Sequence, residues 1–189
     1  VEIVEKRVKE VRLTEVRALE DEKMIVEGYA VVFDSVTDLG YFKEVIDRNA
    51  LNGCDMSDVC MKYNHSDELL IMARTRNNSL QLLVDERGLK FRAELIDTTQ
   101  NRDLYKMIQA QLLTKCSFAF TVAEEDMDYA TNTRRILKID KIFDVSVVDV
   151  PAYEATEVYA RSKEQFEEEK RKYEKLELEK KKALALISL

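Results

Sequence analysis

Stretches rich in β-branched and other apolar residues recur along the first 150 residues, separated by short polar runs, and each predicts a strand. Residues 8–19 and 24–33 are two such stretches, with Leu19-Glu20-Asp21-Glu22-Lys23 as the turn between them. Residues 34–40 follow as a loop. Over 42–51, the apolar positions Phe42, Val45, Ile46 and Ala50 fall at helical spacing and predict a short helix. Residues 59–63 predict a short strand that runs into a polar turn, Asn64-His65-Ser66-Asp67. Strands 79–84 and 89–95 flank Asp85-Glu86-Arg87-Gly88, the strongest hairpin signal in the chain. Residues 97–113 predict a helix capped by Thr98 or Thr99, with Leu104, Met107, Ile108 and Leu112 as its apolar stripe. Two further strands, 115–122 and 135–150, are joined by a polar loop, 123–134. Pro151 has no N–H to give a sheet ladder and marks the end. About seven strands with two short helices between them predict a β-rich α+β domain, built as an antiparallel barrel.

The pattern breaks near residue 160, so the expected division is a body, residues 1–160, and a charged helical tail, residues 161–189. Residues 163–182 are nearly all Glu, Lys, Arg and Leu, an exposed helix with little apolar face. Phe166, Tyr173 and Leu176 fit a heptad seam, but Glu169 and Lys180 interrupt it. The tail has nine Lys/Arg and seven Asp/Glu, so of the chain's net charge of −7 the body carries −9. An acidic body argues against nucleic acid as a partner, which would need clustered Lys and Arg. Cys54, Cys60 and Cys116 match no zinc pattern, and with one histidine in the chain neither a metal nor another cofactor is expected. The thiols read as free, in a reducing compartment. No stretch approaches the roughly 20 apolar residues of a membrane span, and no signal peptide opens the chain, so no membrane partner is expected and the reading is of a soluble intracellular protein.

Candidate chemistry starts from that lone histidine. His65 in a polar turn reads first as an ordinary surface residue, but imidazole is the usual general base near neutral pH. A serine hydroxyl needs such a base to act as a nucleophile. Ser117, at the start of a strand in Cys116-Ser117-Phe118-Ala119-Phe120, is the best candidate, although a water-facing strand serine would look the same. Asp144 and Asp149 lie among apolar neighbours, where a carboxylate is costly unless paired. In a hairpin centred near Tyr129, opposed positions sum to roughly 258–262, so Ser117 and Asp144 could lie side by side, with Asp149 past the paired region. Asp144 would then orient His65, and His65 would deprotonate Ser117. Cys116 is the stronger nucleophile by chemistry, but adjacent strand residues point to opposite faces, so only one of Cys116 and Ser117 can meet His65.

An ordered set of segments resembles the prohead proteases of tailed phages: Gly28-Tyr29-Ala30-Val31-Val32-Phe33, Phe42-Lys43-Glu44-Val45-Ile46, and Asn64-His65-Ser66-Asp67 with Ala73-Arg74-Thr75. It continues with Asp85-Glu86-Arg87-Gly88-Leu89, Cys116-Ser117-Phe118-Ala119-Phe120, Asp144-Val145-Ser146-Val147-Val148 and Pro151-Ala152-Tyr153. The resemblance covers residues 26–161. It implies a seven-stranded barrel like that of the herpesvirus assembly proteases. It also implies a serine endopeptidase that cleaves scaffold and capsid proteins, and itself, inside the immature capsid in the host cytoplasm. His65 takes the family's Asn-His place, Ser117 the serine of its Ser-Phe-Gly-Phe motif, and Asp144 an acidic place more often filled by Glu. The herpesvirus relatives use a second histidine as third member, and this chain has none, so a carboxylate must serve.

Two departures stand out. Ala119 replaces the family's usual glycine, and no arginine follows Asp144 before Arg161 to bind an oxyanion. Backbone N–H groups near Pro151-Ala152-Tyr153 are the candidate donors. Because the herpesvirus enzymes act as dimers, a homodimer or higher oligomer stays open. The alternative function is a non-catalytic, protease-like scaffold or assembly protein, which the charged tail would suit.

Overall fold

The computed structural model describes residues 7–11, 17–19, 23–40, 42–69, 71–149, 168, 170–172 and 174–182. In chain order the elements are β1 (Arg7–Val11), β2 (Arg17–Leu19), β3 (Ile25–Val32), β4 (Thr37–Asp38), β5 (Lys43–Ile46), β6 (Cys60–Tyr63) and β7 (Ala73–Arg74). A single 3₁₀ turn (Thr75–Asn77) precedes β8 (Leu80–Val84), β9 (Gly88–Glu94), α1 (Thr99–Gln109), β10 (Lys115–Asp128) and β11 (Thr133–Val148). Residues 174–182 of the tail are helical.

The strands form two sheets. One runs β1-β10-β11-β5-β4, with β6 also on β11 and β7 on β6; the other runs β2-β3-β9-β8. Their inner faces share one core, to which Val26, Ala30 and Phe91 come from the second sheet and Phe118, Phe120, Ile136 and Val145 from the first. Phe118 and Phe120 stack with ring centroids 4.6 Å apart. The class is therefore strand-rich α+β. Among the described residues no pairing joins the two sheets, so they are open where a closed barrel was expected.

The scaffold of the site is β11. Its start, Thr133 to Ile136, pairs in parallel with β5, and its end, Asp144 to Val147, pairs in parallel with β6. Along its other edge it pairs antiparallel with β10 over nearly its full length. Fully sandwiched between neighbours, β11 buries Ile136, Ile139, Ile142, Val145 and Val147 completely.

Several predicted elements are realised differently. Residues 42–51 are not a helix: β5 pairs with β11, and Asp47 then caps a turn through its carboxylate and the Asn49 N–H at 2.9 Å. Phe42, Val45, Ile46 and Ala50 are buried all the same, so the apolar spacing was right and its period ambiguous. Within residues 8–19 the described residues belong to two strands, β1 and β2, in different sheets. The loop at 123–134 is mostly strand, because β10 and β11 extend to Asp128 and from Thr133, leaving Tyr129 to Asn132 as the turn. Helix α1 is capped by the Thr98 hydroxyl, which accepts the Asn101 N–H. It buries Asn101, Leu104, Tyr105 and Ile108. Met107 and Leu112 are 40% and 73% exposed, so they are not part of the buried stripe; Leu112 lies past the helix end, after Gln111 at φ 57° has turned the chain.

Candidate active site

The site lies on the face of the first sheet opposite the aromatic core, and strand alternation decides which residues reach it. On β10, Cys116 and Phe118 point into the core, so Ser117 points the other way. On β11, Val145 and Val147 point into the core and leave Asp144 and Ser146 on the Ser117 side. On β6, Met61 is core, and Cys60 and Lys62 share the face with Asp144 and Ser146. Read across the sheet, one row is Ser117, Ser146, Lys62 and the next is Ala119, Asp144, Cys60, Arg74.

This register departs from the expected one. Ser117 faces Ser146, and Asp144 faces Ala119, one pair further along the same face. The pairing next to the turn, carried on without interruption, would bring Ser117 to Asp144; the irregularities between Ala119 and Glu125 shift it on to Ser146. Ala119 therefore sets its methyl group beside Asp144.

His65 arrives from β6. The Ser66 N–H bonds to the Tyr63 carbonyl at 3.0 Å, and both central residues have positive φ, Asn64 at 51° and His65 at 53°. That is a type I′ turn, which asparagine tolerates well and histidine adopts less often. The turn is pinned at several points: the Asn64 N–H bonds to the Val147 carbonyl at 2.9 Å, and Asn64 Oδ1 accepts the Asp149 N–H at 3.1 Å. Tyr63 Oη donates to Asp149 Oδ2 at 2.7 Å. Asp149 thus braces the base of the turn, just beyond the end of β11, and Asp144 meets the ring.

His65 Nδ1 lies 2.6 Å from Asp144 Oδ1, and the Ser146 hydroxyl donates to the same oxygen at 2.9 Å. An ionised carboxylate only accepts, so Nδ1 carries the proton and the Nε2 lone pair is left for a second partner. Asp144 is fully buried. Burial works to raise its pKa, but the His65 hydrogen bond and charge, the Ser146 hydroxyl and the Lys62 charge together hold it below the usual carboxylate range. His65 Nε2 is buried and makes no hydrogen bond, so no Ser117–His65 bond is formed. Ser117 itself is 2% exposed. Cys116 is completely buried on the core face, and burial pushes its thiol far up.

Ser146, Lys62 and the Tyr63–Asp149 brace were not singled out in the sequence. Ser146 was legible in principle, two residues from Asp144 on one strand and so on its face. Lys62 was not, because its neighbours are set by a parallel pairing between strands some 80 residues apart. Pro151, Ala152 and Tyr153, the expected oxyanion region, lie outside the described residues, as do Phe166, Glu169 and Tyr173. Among the described residues no cluster of His, Cys, Asp and Glu could hold a metal.

The sequence model of a family described as caudovirus prohead serine protease matches residues 11–172. No curated protein matches the chain. Among solved structures, the capsid assembly protease of bacteriophage T4 is similar at a TM-score of 0.51 and 10% sequence identity, covering 77% of this chain and 97% of that one. At that identity the likeness is one of fold.

Proposed function

Since the chain belongs to the caudovirus prohead serine protease family, and so to the proteases of phage capsid maturation, we propose that it cleaves peptide bonds through Ser117, His65 and Asp144. The observation that carries this reading is the short bond from His65 Nδ1 to a fully buried carboxylate, on the face that also bears Ser117. In the proposed cycle the Ser117 hydroxyl attacks the scissile carbonyl and passes its proton to His65 Nε2. Asp144 fixes the ring tautomer and stabilises the imidazolium. The leaving amine takes the proton back, and water repeats the sequence on the acyl-enzyme. Because His65 Nε2 makes no bond here, the nucleophile–base contact must tighten when substrate enters, as catalytic hydrogen bonds often do.

Capsid and scaffold proteins are the substrates that family membership implies, and the interior of the procapsid in the host cell is the place. No described helix is long and apolar enough to cross a membrane. The reading carries with it a closed, herpesvirus-protease-like barrel, of which the two open sheets would be the halves, self-cleavage, and a body that ends near residue 160. It is tested by incubating the purified chain and following its length by mass spectrometry, together with labelling by a fluorophosphonate. The reading expects shortening and a label on Ser117, both abolished in Ser117→Ala. A label on Cys116 or Ser146, or shortening that persists in Ser117→Ala, overturns the assignment.

A further inference from the structure

Beside the Ser117, His65 and Asp144 constellation, the sheet carries a cation that the reaction scheme leaves without a role. Lys62 on β6 stands in the row of Ser117 and Ser146, and its side chain is only 13% exposed. Its ammonium bonds to the Asp67 carboxylate, at the far side of the turn that carries His65. Burial by itself would lower the Lys62 pKa; the Asp67 bond and then the Asp144 charge outweigh it and hold it raised. A lysine so little exposed, held between a turn and a buried carboxylate, is unusual, because lysine side chains ordinarily extend into water.

We propose that Lys62 is a positioning residue of the proteolytic site, its ammonium clasping the His65 turn through Asp67 and balancing the charge of buried Asp144. This rests on the reading of the site given above. In the proposed cycle His65 starts as the neutral base beside an ionised Asp144, so the pair carries a net charge away from water, and that is costly without a nearby cation. Lys62 supplies it from the same face. Asp67 is 79% exposed, so water screens its charge and it serves chiefly as the anchor. The clasp closes a short loop: β6 fixes Lys62, Asp67 fixes the far side of the turn, and His65 is held between. When His65 takes the Ser117 proton, the imidazolium neutralises Asp144 and finds itself near a second cation. Lys62 therefore favours the neutral ring, the form a general base needs before attack. The other charged or titratable groups around the turn and on this face are Cys60 and Tyr63 on β6, Glu68 after Asp67, Asp149 beyond β11, Lys115 at the start of β10 and Arg74 on β7, whose guanidinium is engaged by the Asp58 carboxylate through two hydrogen bonds.

His65 is the chain's only histidine, so its ring can be titrated by NMR without assignment and without activity. The experiment measures the ring's midpoint in a Ser117→Ala background, and kcat and KM against pH in the active chain. Lys62→Met is expected to move the midpoint up by roughly one pH unit. The acid limb of kcat/KM should move with it, and kcat should fall more than KM changes. Lys62→Arg, which keeps the charge, should restore most of both. Asp67→Asn, which loosens the clasp and keeps the cation, should lower kcat without moving the midpoint up. An unchanged midpoint in folded Lys62→Met, or equal shifts in Lys62→Met and Lys62→Arg, overturns the proposal. If the chain proves inactive, the titration still decides the role of Lys62, and it is the reading of Ser117 that fails.

Discussion

Asp144 is fully enclosed, and a carboxylate in that position makes the molecule sensitive to both substitution and acid. With its pKa held below the ordinary value, its bonds contribute stability that is present above the unfolded carboxylate range and lost as pH falls through the folded value. The stability difference between the wild-type chain and Asp144→Asn should therefore be largest at neutral pH and shrink below about pH 4. Urea melts at several pH values measure this directly. The same variant should lower kcat by roughly 10²-fold or more, since losing the orienting carboxylate of a triad can cost about 10⁴. Asp149→Asn should change the rate little, because its carboxylate braces Tyr63 and does not touch the ring. Kinetics in which Asp149 proves the sensitive position would reverse the two roles. Cys116→Ala should keep most activity, its thiol being sealed in the core with a raised pKa that suppresses the thiolate.

Between strands, turns decide geometry, and two of them give opposite lessons. At the His65 turn both central residues sit at positive φ, so Asn64→Gly should be tolerated by the backbone, whereas Asn64→Val should destabilise by about 1–2 kcal/mol. Asn64→Gly still loses the bond to the Asp149 N–H, so thermal melts should rank it between wild type and Asn64→Val. At the β8–β9 hairpin the sequence signal was direct: Asp85 Oδ1 accepts the N–H groups of Arg87 and Gly88, and the Asp85 N–H bonds to the Gly88 carbonyl. Gly88 is required there for space. A Cβ would lie 1.9 Å from the Val31 carbonyl oxygen of the neighbouring strand. Gly88→Ala should cost about 3 kcal/mol, as overpacking against immovable backbone does. A change in melting temperature of less than a degree would show that β3 yields.

At the scale of the whole molecule, the expected division is an uneven one between body and tail. The body holds the shared core and the site. The described tail residues are helical and mostly exposed, with Leu176 and Leu178 about half in water. Lys170 Nζ donates to Asn132 Oδ1 at 3.0 Å, on the β10–β11 turn. One surface contact of that kind contributes on the order of 1 kcal/mol or less. A chain ending at Arg161 should accordingly melt cooperatively within a few degrees of the full chain. The family match extends to residue 172, which makes the measurement more pointed. A large loss of stability would place part of the tail in the body's core.

The sequence by itself determined the strand-rich class, most of the strands, the capped helix and the β8–β9 hairpin. It also put forward His65, Ser117 and Asp144, from residue type and ordered motifs, as a candidate site. All of these are local: a period of two, a cap, a turn or a short string of residues is visible in a window of ten. The tertiary structure alone decided what depends on distant pairing. Lys43–Ile46 forms a strand because β11 offers it a parallel edge, which no local period reveals. Asp144 faces Ala119 because the irregularities of β10 and β11 add up along the hairpin, and a register is the sum of every step before it. Lys62 joins the site because β6 lies parallel on β11, and His65 meets Asp144 because the turn after β6 folds back over that edge. Residue chemistry is written along the chain, but adjacency across a sheet is set by the free energy of the whole pairing.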